Sequence, residues 1–210
     1  MPLQAILSYL RRSRARISWE RLWRRRGLRP HWLTESPRPF VLAGFDGGWF
    51  SPGMDVLEIG CGLGHTAACL ASRGLRVVGI DVSRTVIHRA RRAFREQPNL
   101  SFKVVDVCAP RSLGGRFDVI LDTGCLHTIA PPLLDSYRRN ILLWSRPGTR
   151  FVVSMYTAGT SVDKRRAEVQ SLLVPPFELV HYEETPSENP DAMGRLNPVF
   201  HLIRRQTTGA

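Results

Sequence analysis

Asp55-Val56-Leu57-Glu58-Ile59-Gly60-Cys61-Gly62-Leu63-Gly64-His65-Thr66 passes from a short apolar run, through glycines at every second position, into a segment of helical character. The run 55–59 has the length and composition of a buried strand. Glycine admits the tight turn and lets a ligand come close to the backbone. A helix starting just beyond offers unpaired N–H groups and the positive end of its dipole. The stretch therefore reads as a strand, a ligand-binding turn and a helix.

The pattern repeats outward from this unit. Apolar runs at 55–59, 76–80, 100–105, 117–121, 150–155, 177–182 and 199–204 are expected as strands, with helices near 64–73, 83–96, 132–144 and 163–173. Strand–helix alternation implies an α/β fold with a parallel sheet covered on both faces. No helix is expected between the last two strands, and strands joined without a crossover are normally antiparallel. The expectation is a doubly wound, seven-stranded, mostly parallel sheet with a C-terminal antiparallel hairpin. Residues 3–26 read as a helix, with Leu3, Ile6, Leu7, Leu10 and Ile17 near one face and arginines on the other. A loop with one short helix near 39–43 follows. Residues 1–50 are thus expected as a basic helix and aromatic lid, and 51–210 as the ligand-binding domain.

Three acids follow the glycine turn, each at the carboxyl end of an expected strand: Asp81, Asp106 and Asp122. Ligands of open α/β sheets bind outside those ends. A carboxylate at Asp81 can accept from both hydroxyls of a ribose. An acid in this position can also simply cap the next helix, and Ser83 could take that role itself. A dinucleotide fingerprint would need glycine at 60, 62 and 65, but position 65 is His.

The spacing E-x-G-x-G-x-G, from Glu58 through Gly60 and Gly62 to Gly64, resembles motif I of class I S-adenosylmethionine-dependent methyltransferases. The resemblance implies a Rossmann-like fold, S-adenosyl-L-methionine as cofactor, and methyl transfer as activity. It implies that Glu58, Gly60, Cys61, Gly62 and Gly64 form the loop around the methionine part, with Glu58 structural or supporting. Asp81 and Val82 would meet the ribose, and Asp106 and the Val107 N–H the adenine. Asp122 and Thr123, at the end of the fourth strand, would complete the cofactor site. Trp19-Glu20-Arg21-Leu22-Trp23, then Pro30-His31-Trp32, and Asp122-Thr123-Gly124-Cys125-Leu126-His127 are similar to stretches of the thiopurine methyltransferase-like group. That likeness implies a small-molecule methyl acceptor. Enzymes that methylate nucleobase amines or glutamine usually carry an acid or amide followed by Pro-Pro-aromatic after the fourth strand; Asp122-Thr123-Gly124-Cys125 does not match it.

Methyl transfer to an alcohol, phenol or protonated amine needs a proton acceptor. His127, just past the fourth strand, is the candidate base. Trp23, His31, Trp32, His65 and Tyr156 are candidates for the acceptor side, the aromatics as a lid over adenine and sulfonium.

The chain carries a formal charge of +12, of which residues 1–30 hold +8: nine arginines against one acid, Glu20. This arm can be the solvated face of a lid helix, a phosphate-binding arm for RNA, a membrane-surface helix or a transit segment. Nucleic acid is the less favoured partner; an RNA methyltransferase docking through this arm, and a protein that binds the cofactor without transferring methyl, are the alternatives to a small-molecule enzyme. The four cysteines have neither zinc-ligand nor disulfide-framework spacing, so no metal is expected and the thiols read as reduced. No apolar run is long enough to span a bilayer, and a cytoplasmic protein is expected.

Overall fold

The computed structural model describes residues 3–25, 27, 30, 33–157, 159–187 and 195–206. Seven strands form one sheet in the order β3-β2-β1-β4-β5-β7-β6. They are β1 (Asp55–Ile59), β2 (Arg76–Asp81), β3 (Leu100–Val104), β4 (Phe117–Thr123), β5 (Ser145–Ser154), β6 (Phe177–Pro186) and β7 (Leu196–Arg204). The first five are parallel, and β7 runs antiparallel to both β5 and β6. The strand order reverses between β1 and β4, so the chain leaves these neighbours in opposite directions and opens a crevice at their carboxyl ends. Ile59 is in register with Ile80 on one side and Asp122 on the other, which lines up the three strand tips.

Helices α1 (Leu3–Arg24), α2 (Pro39–Asp46), α3 (His65–Ser72) and α4 (Arg84–Ala93) cover one face, and α5 (Leu134–Trp144) and α6 (Val162–Leu173) the other. Trp23, Phe40, Leu70 and Ile87 pack against Val77, Val119 and Val152 on the first side. Tyr137, Ile141, Trp144 and Leu173 pack against Leu57, Ile120 and Phe151 on the second. Alternation along the central strands supplies both faces with apolar side chains, as two-sided burial requires.

Two expectations need correction. The strands after β4 are longer than expected: β5 begins at Ser145 and β6 continues to Pro186. Pairing with a neighbour carries these ends, although their side chains are polar. More consequentially, the apolar row of α1 does not face the protein. Leu7, Leu10 and Ile17 are 40–48% exposed, while Trp23 is buried and Trp19 half-buried. The inward face runs through Arg12, Trp19 and Trp23, at helical spacing.

Candidate functional site

A cleft of about 420 Å³ lies over the tips of β1, β2 and β4, with α1 across it. The turn after β1 forms its floor. Gly60, Gly62 and Gly64 all have positive φ, +66°, +53° and +82°. At Gly64 a Cβ would meet the Phe102 ring at 2.4 Å, and at Gly60 it would meet the Cys125 Cβ at 2.9 Å. A side chain at Gly60 or Gly64 would force this backbone path to shift, and all three positions lie in the left-handed region that favours glycine. The N-cap residue of α3, Gly64, has no side chain to cap it, and the Glu58 carboxyl reaches the Ala67 N–H of its first turn.

The acids differ sharply in their surroundings. Glu58 is 2% exposed; its carboxyl accepts from the Ala67 N–H, but Oε2 has no partner among the described residues. Burial, with the nearby charges of Asp81 and Asp122, pushes its pKa up to about 8. Asp81 accepts from the Ser83 N–H at 2.9 Å and the Gly62 N–H at 3.2 Å, tying β2 to the glycine turn. Burial lifts its pKa to about 6. The Val82 N–H also approaches it, and a carboxylate with about four lone-pair sites still keeps acceptor capacity on the cleft side. Ser83 caps α4 by accepting from the Val86 N–H. Asp106 accepts from the Cys108 N–H at 2.9 Å and borders the cleft with Val107.

Asp122 behaves differently. It is completely buried, accepts from the Cys125 and Leu126 N–H groups and from the Tyr137 hydroxyl at 2.7 Å, and stands outside the cleft lining. It caps the short 3-10 turn Leu126–Thr128 and so fixes the segment that carries His127. Thr123 does line the cleft.

His127 and Tyr156 meet edge to face, ring centroids 5.2 Å apart, at the β4–β5 end. Desolvation, reinforced by the charge of Arg165, lowers the His127 pKa to about 4, and its Nδ1 is buried without a partner among the described residues. Tyr156 accepts a hydrogen bond from Arg38, whose guanidinium also lies over its ring at 5.7 Å. Cys61 and Cys125 border the cleft, but burial drives both thiols well above their ordinary pKa, so they stay protonated.

Of the residues expected from sequence, the cleft brings together Trp23, Glu58, Gly60, Cys61, Gly62, Gly64, His65, Asp81, Val82, Asp106, Val107, Thr123, His127 and Tyr156. Asp122 lies beneath it, and His31 and Trp32 fall outside the described residues. The sequence reading missed Arg11, Arg12, Trp19 and Arg38, which also line it. Trp19 is detectable in retrospect, since it sits four residues before Trp23 on one helix. Glu20, the single acid of the basic arm, reaches the start of α4. It accepts from the Ser83 hydroxyl at 2.7 Å and from the Thr85 hydroxyl and N–H at 2.5 and 3.3 Å. Burial disfavours its charge, but bonds from Thr85, Ser83 and Arg24 outweigh this and hold the pKa at about 2. Glu20 thus latches α1 over the cleft.

This donor set fits S-adenosylmethionine. A buried carboxylate oxygen without a partner suits an α-ammonium, Asp81 keeps acceptor sites at a strand tip, and the glycine turn leaves room for a chain to pass.

Comparison with known proteins agrees. Residues 56–148 match a family model described as a methyltransferase domain. The chain is 33% identical over 130 residues to the 2-heptyl-1-hydroxyquinolin-4(1H)-one methyltransferase of Mycobacteroides abscessus, covering 61% of this chain and 56% of that protein. The chain therefore spans little more than half the length of that relative. It is 31% identical to the protein-L-isoaspartate O-methyltransferase of Gloeobacter violaceus, over 63% of this chain and 69% of that one. The fold is shared with the N-methyltransferase NodS of Bradyrhizobium japonicum in complex with S-adenosyl-L-homocysteine, at a TM-score of 0.71 and 19% identity, covering 90% and 98% of the two chains. With the glycine turn, the strand-tip acids and the reversed strand order all in place, the chain belongs to the class I S-adenosylmethionine-dependent methyltransferases.

Proposed function

We propose that the protein transfers a methyl group from S-adenosylmethionine to an O, S or N atom of a small molecule, in the manner of the thiopurine methyltransferase-like group, with His127 as proton acceptor. The observation that carries this reading is the place of His127 in the cleft lining, edge to face with Tyr156 and with its pKa lowered to about 4 by burial.

The bound cofactor supplies an activated methyl on sulfur. Glu58 holds its ammonium, the turn from Gly60 to Gly64 its methionine chain, Asp81 and Val82 the ribose, and Asp106 with the Val107 N–H the adenine. Thr123 borders the reacting end, with Asp122 acting from below through the turn it caps. Trp23, His65 and Tyr156 shape the acceptor end. The described part of residues 1–50, with α1 latched across the cleft through Glu20, acts as a lid that excludes water. His127 accepts the proton that the acceptor loses. With a pKa near 4, it is neutral at pH 7 and free to accept. Such a weak base suffices, because an O–H or N–H becomes strongly acidic once its heavy atom starts to bond the methyl carbon.

The acceptor class favoured by the relative's name is a hydroxylated aromatic heterocycle. A cleft of about 420 Å³ is of small-molecule size. Four unpaired cysteines suit a reducing cytoplasmic setting. No helix of the described residues is long and apolar enough to cross a membrane.

The test is turnover of purified protein against a panel of aromatic hydroxyls, thiols and amines. His127→Ala should leave cofactor affinity within about threefold and lower kcat by roughly 10²–10⁴ with hydroxyl acceptors. The wild-type rate should fall as pH drops through about 4, where His127 protonates. Unchanged kcat in His127→Ala refutes the base. Methylation of RNA alone, with no small-molecule product, refutes the substrate class.

A further inference from the structure

We propose that His181, Glu183 and His201 form a binding site for one divalent transition-metal ion, which clips the β6–β7 hairpin at the edge of the sheet. The three residues lie apart from the methyl-transfer cleft, and none of them lines it.

The site follows from strand register. His181 on β6 stands directly opposite His201 on β7. Glu183 is two residues further along β6 and therefore on the same face. A register shift between Leu179 and His181 sets the two imidazoles against each other, ring centroids 5.2 Å apart. One ligand atom from each of the three residues lies within 4.8 Å of the others. The His201 Nε2 and Glu183 Oε1 are already 3.1 Å apart. Bonds of about 2.0–2.2 Å in tetrahedral geometry would need ligand atoms roughly 3.3 Å apart. One pair meets that spacing now. The exposed His181 ring closes the rest by rotation about its side-chain torsions, and solvent completes the coordination.

A simple His–carboxylate hydrogen bond accounts for His201 and Glu183 but leaves His181 without a role. Two imidazoles and one carboxylate favour Zn²⁺, Co²⁺ or Ni²⁺ over Mg²⁺ and Ca²⁺, which prefer all-oxygen sites. Trp49 packs edge-on against His201, ring centroids 4.7 Å apart, and so reports on the site. An ion held by both strands would stabilise this edge by mass action, since the unfolded chain does not bring the ligands together.

Metal-stripped full-length protein is titrated with Zn²⁺ by calorimetry and with Ni²⁺ by tryptophan fluorescence. The expected result is one ion per chain and partial quenching. Trp49→Phe should abolish the quenching but keep the heat. His181→Ala, at an exposed position, and Glu183→Gln should each weaken Zn²⁺ roughly tenfold or more, with unchanged circular dichroism. Absence of stoichiometric binding to the wild type overturns the proposal. So does binding that survives both His181→Ala and Glu183→Gln at full affinity, since it would lie elsewhere, on the cysteines for instance.

Discussion

Glu58 offers the sharpest test of how the cleft receives its cofactor. Its carboxyl is buried beneath the glycine turn, with Oε2 unpartnered and a pKa pushed up to about 8. At pH 7 such a group is about 90% protonated. An ammonium placed beside it favours the ionised form and lowers the pKa by about 1–3 units. A drop of one unit releases about 0.4 proton on binding at pH 7, and a drop of three units about 0.9. Calorimetry of S-adenosylmethionine binding in buffers of different ionisation enthalpy reads this number as a slope. Affinity should also rise about tenfold per pH unit between the bound and free pKa values. Glu58→Gln should remove both effects. The stability of the ligand-free protein carries the matching sign. A carboxyl whose pKa is raised by folding contributes stability below its unfolded value of 4.5, and that contribution is lost as pH rises through about 8. Glu58→Gln should therefore stabilise the free protein at pH 8, on the order of a few kcal/mol, while weakening the cofactor. A zero slope in the wild type, or an equal slope in Glu58→Gln, would refute the placement of the ammonium.

Two further outcomes are expected. Asp81→Ala removes the carboxylate proposed to hold the ribose and also frees the Gly62 N–H, so cofactor affinity measured by calorimetry should fall on the order of 100-fold or more; unchanged affinity would remove Asp81 from the site. Glu20→Ala deletes the latch from α1 to α4 and should cost about 1–3 kcal/mol, seen as faster hydrogen exchange across α1 and a higher KM for both substrates. The wild-type latch should itself loosen as pH falls from 4.5 toward 2, because the ionised carboxylate is what the α4 terminus binds, and exchange rates in α1 that ignore both the substitution and the acid would count against it.

The body of the fold was legible because its elements are set by local patterns that tertiary packing reinforces. Val77-Val78-Gly79-Ile80 can be little else than a buried strand, and the charged run 84–93 beside it little else than a surface helix. The glycine turn was legible because its three positive-φ positions tolerate few residues besides glycine. The basic arm was not, for a physical reason. Its periodic apolar residues, Leu7, Leu10 and Ile17, suggested the inward face, yet that row stays exposed. What docks α1 is a pair of tryptophans four residues apart and one acid between them, and that acid bonds a helix terminus more than sixty residues away. Periodicity reports where apolar side chains fall, and it carries no information about a polar latch to a distant backbone.

Asp81 and Asp122 show where a sequence reading of the site needs one more step. Asp81 ends β2 and Asp122 is the last residue but one of β4, and both accept from backbone N–H groups just downstream. Their downstream neighbours set them apart. After Asp81 comes Ser83, whose hydroxyl caps α4, so the carboxylate keeps an edge on the cleft. After Asp122 come Thr123, Gly124 and Cys125, and the Cys125 side chain caps nothing. The turn must still satisfy its N–H groups in a buried place, and Asp122 itself does so, with Tyr137 donating from α5. Asp81 is therefore left on the cleft because the Ser83 hydroxyl takes over the capping, whereas Asp122 is spent on its own turn. On the proposed role of His127, Asp122 would act on methyl transfer through the turn that carries it, and Asp122→Asn, which swaps an acceptor oxygen for a donor against the Cys125 and Leu126 N–H groups, should bear on the acceptor end of the cleft rather than on the cofactor.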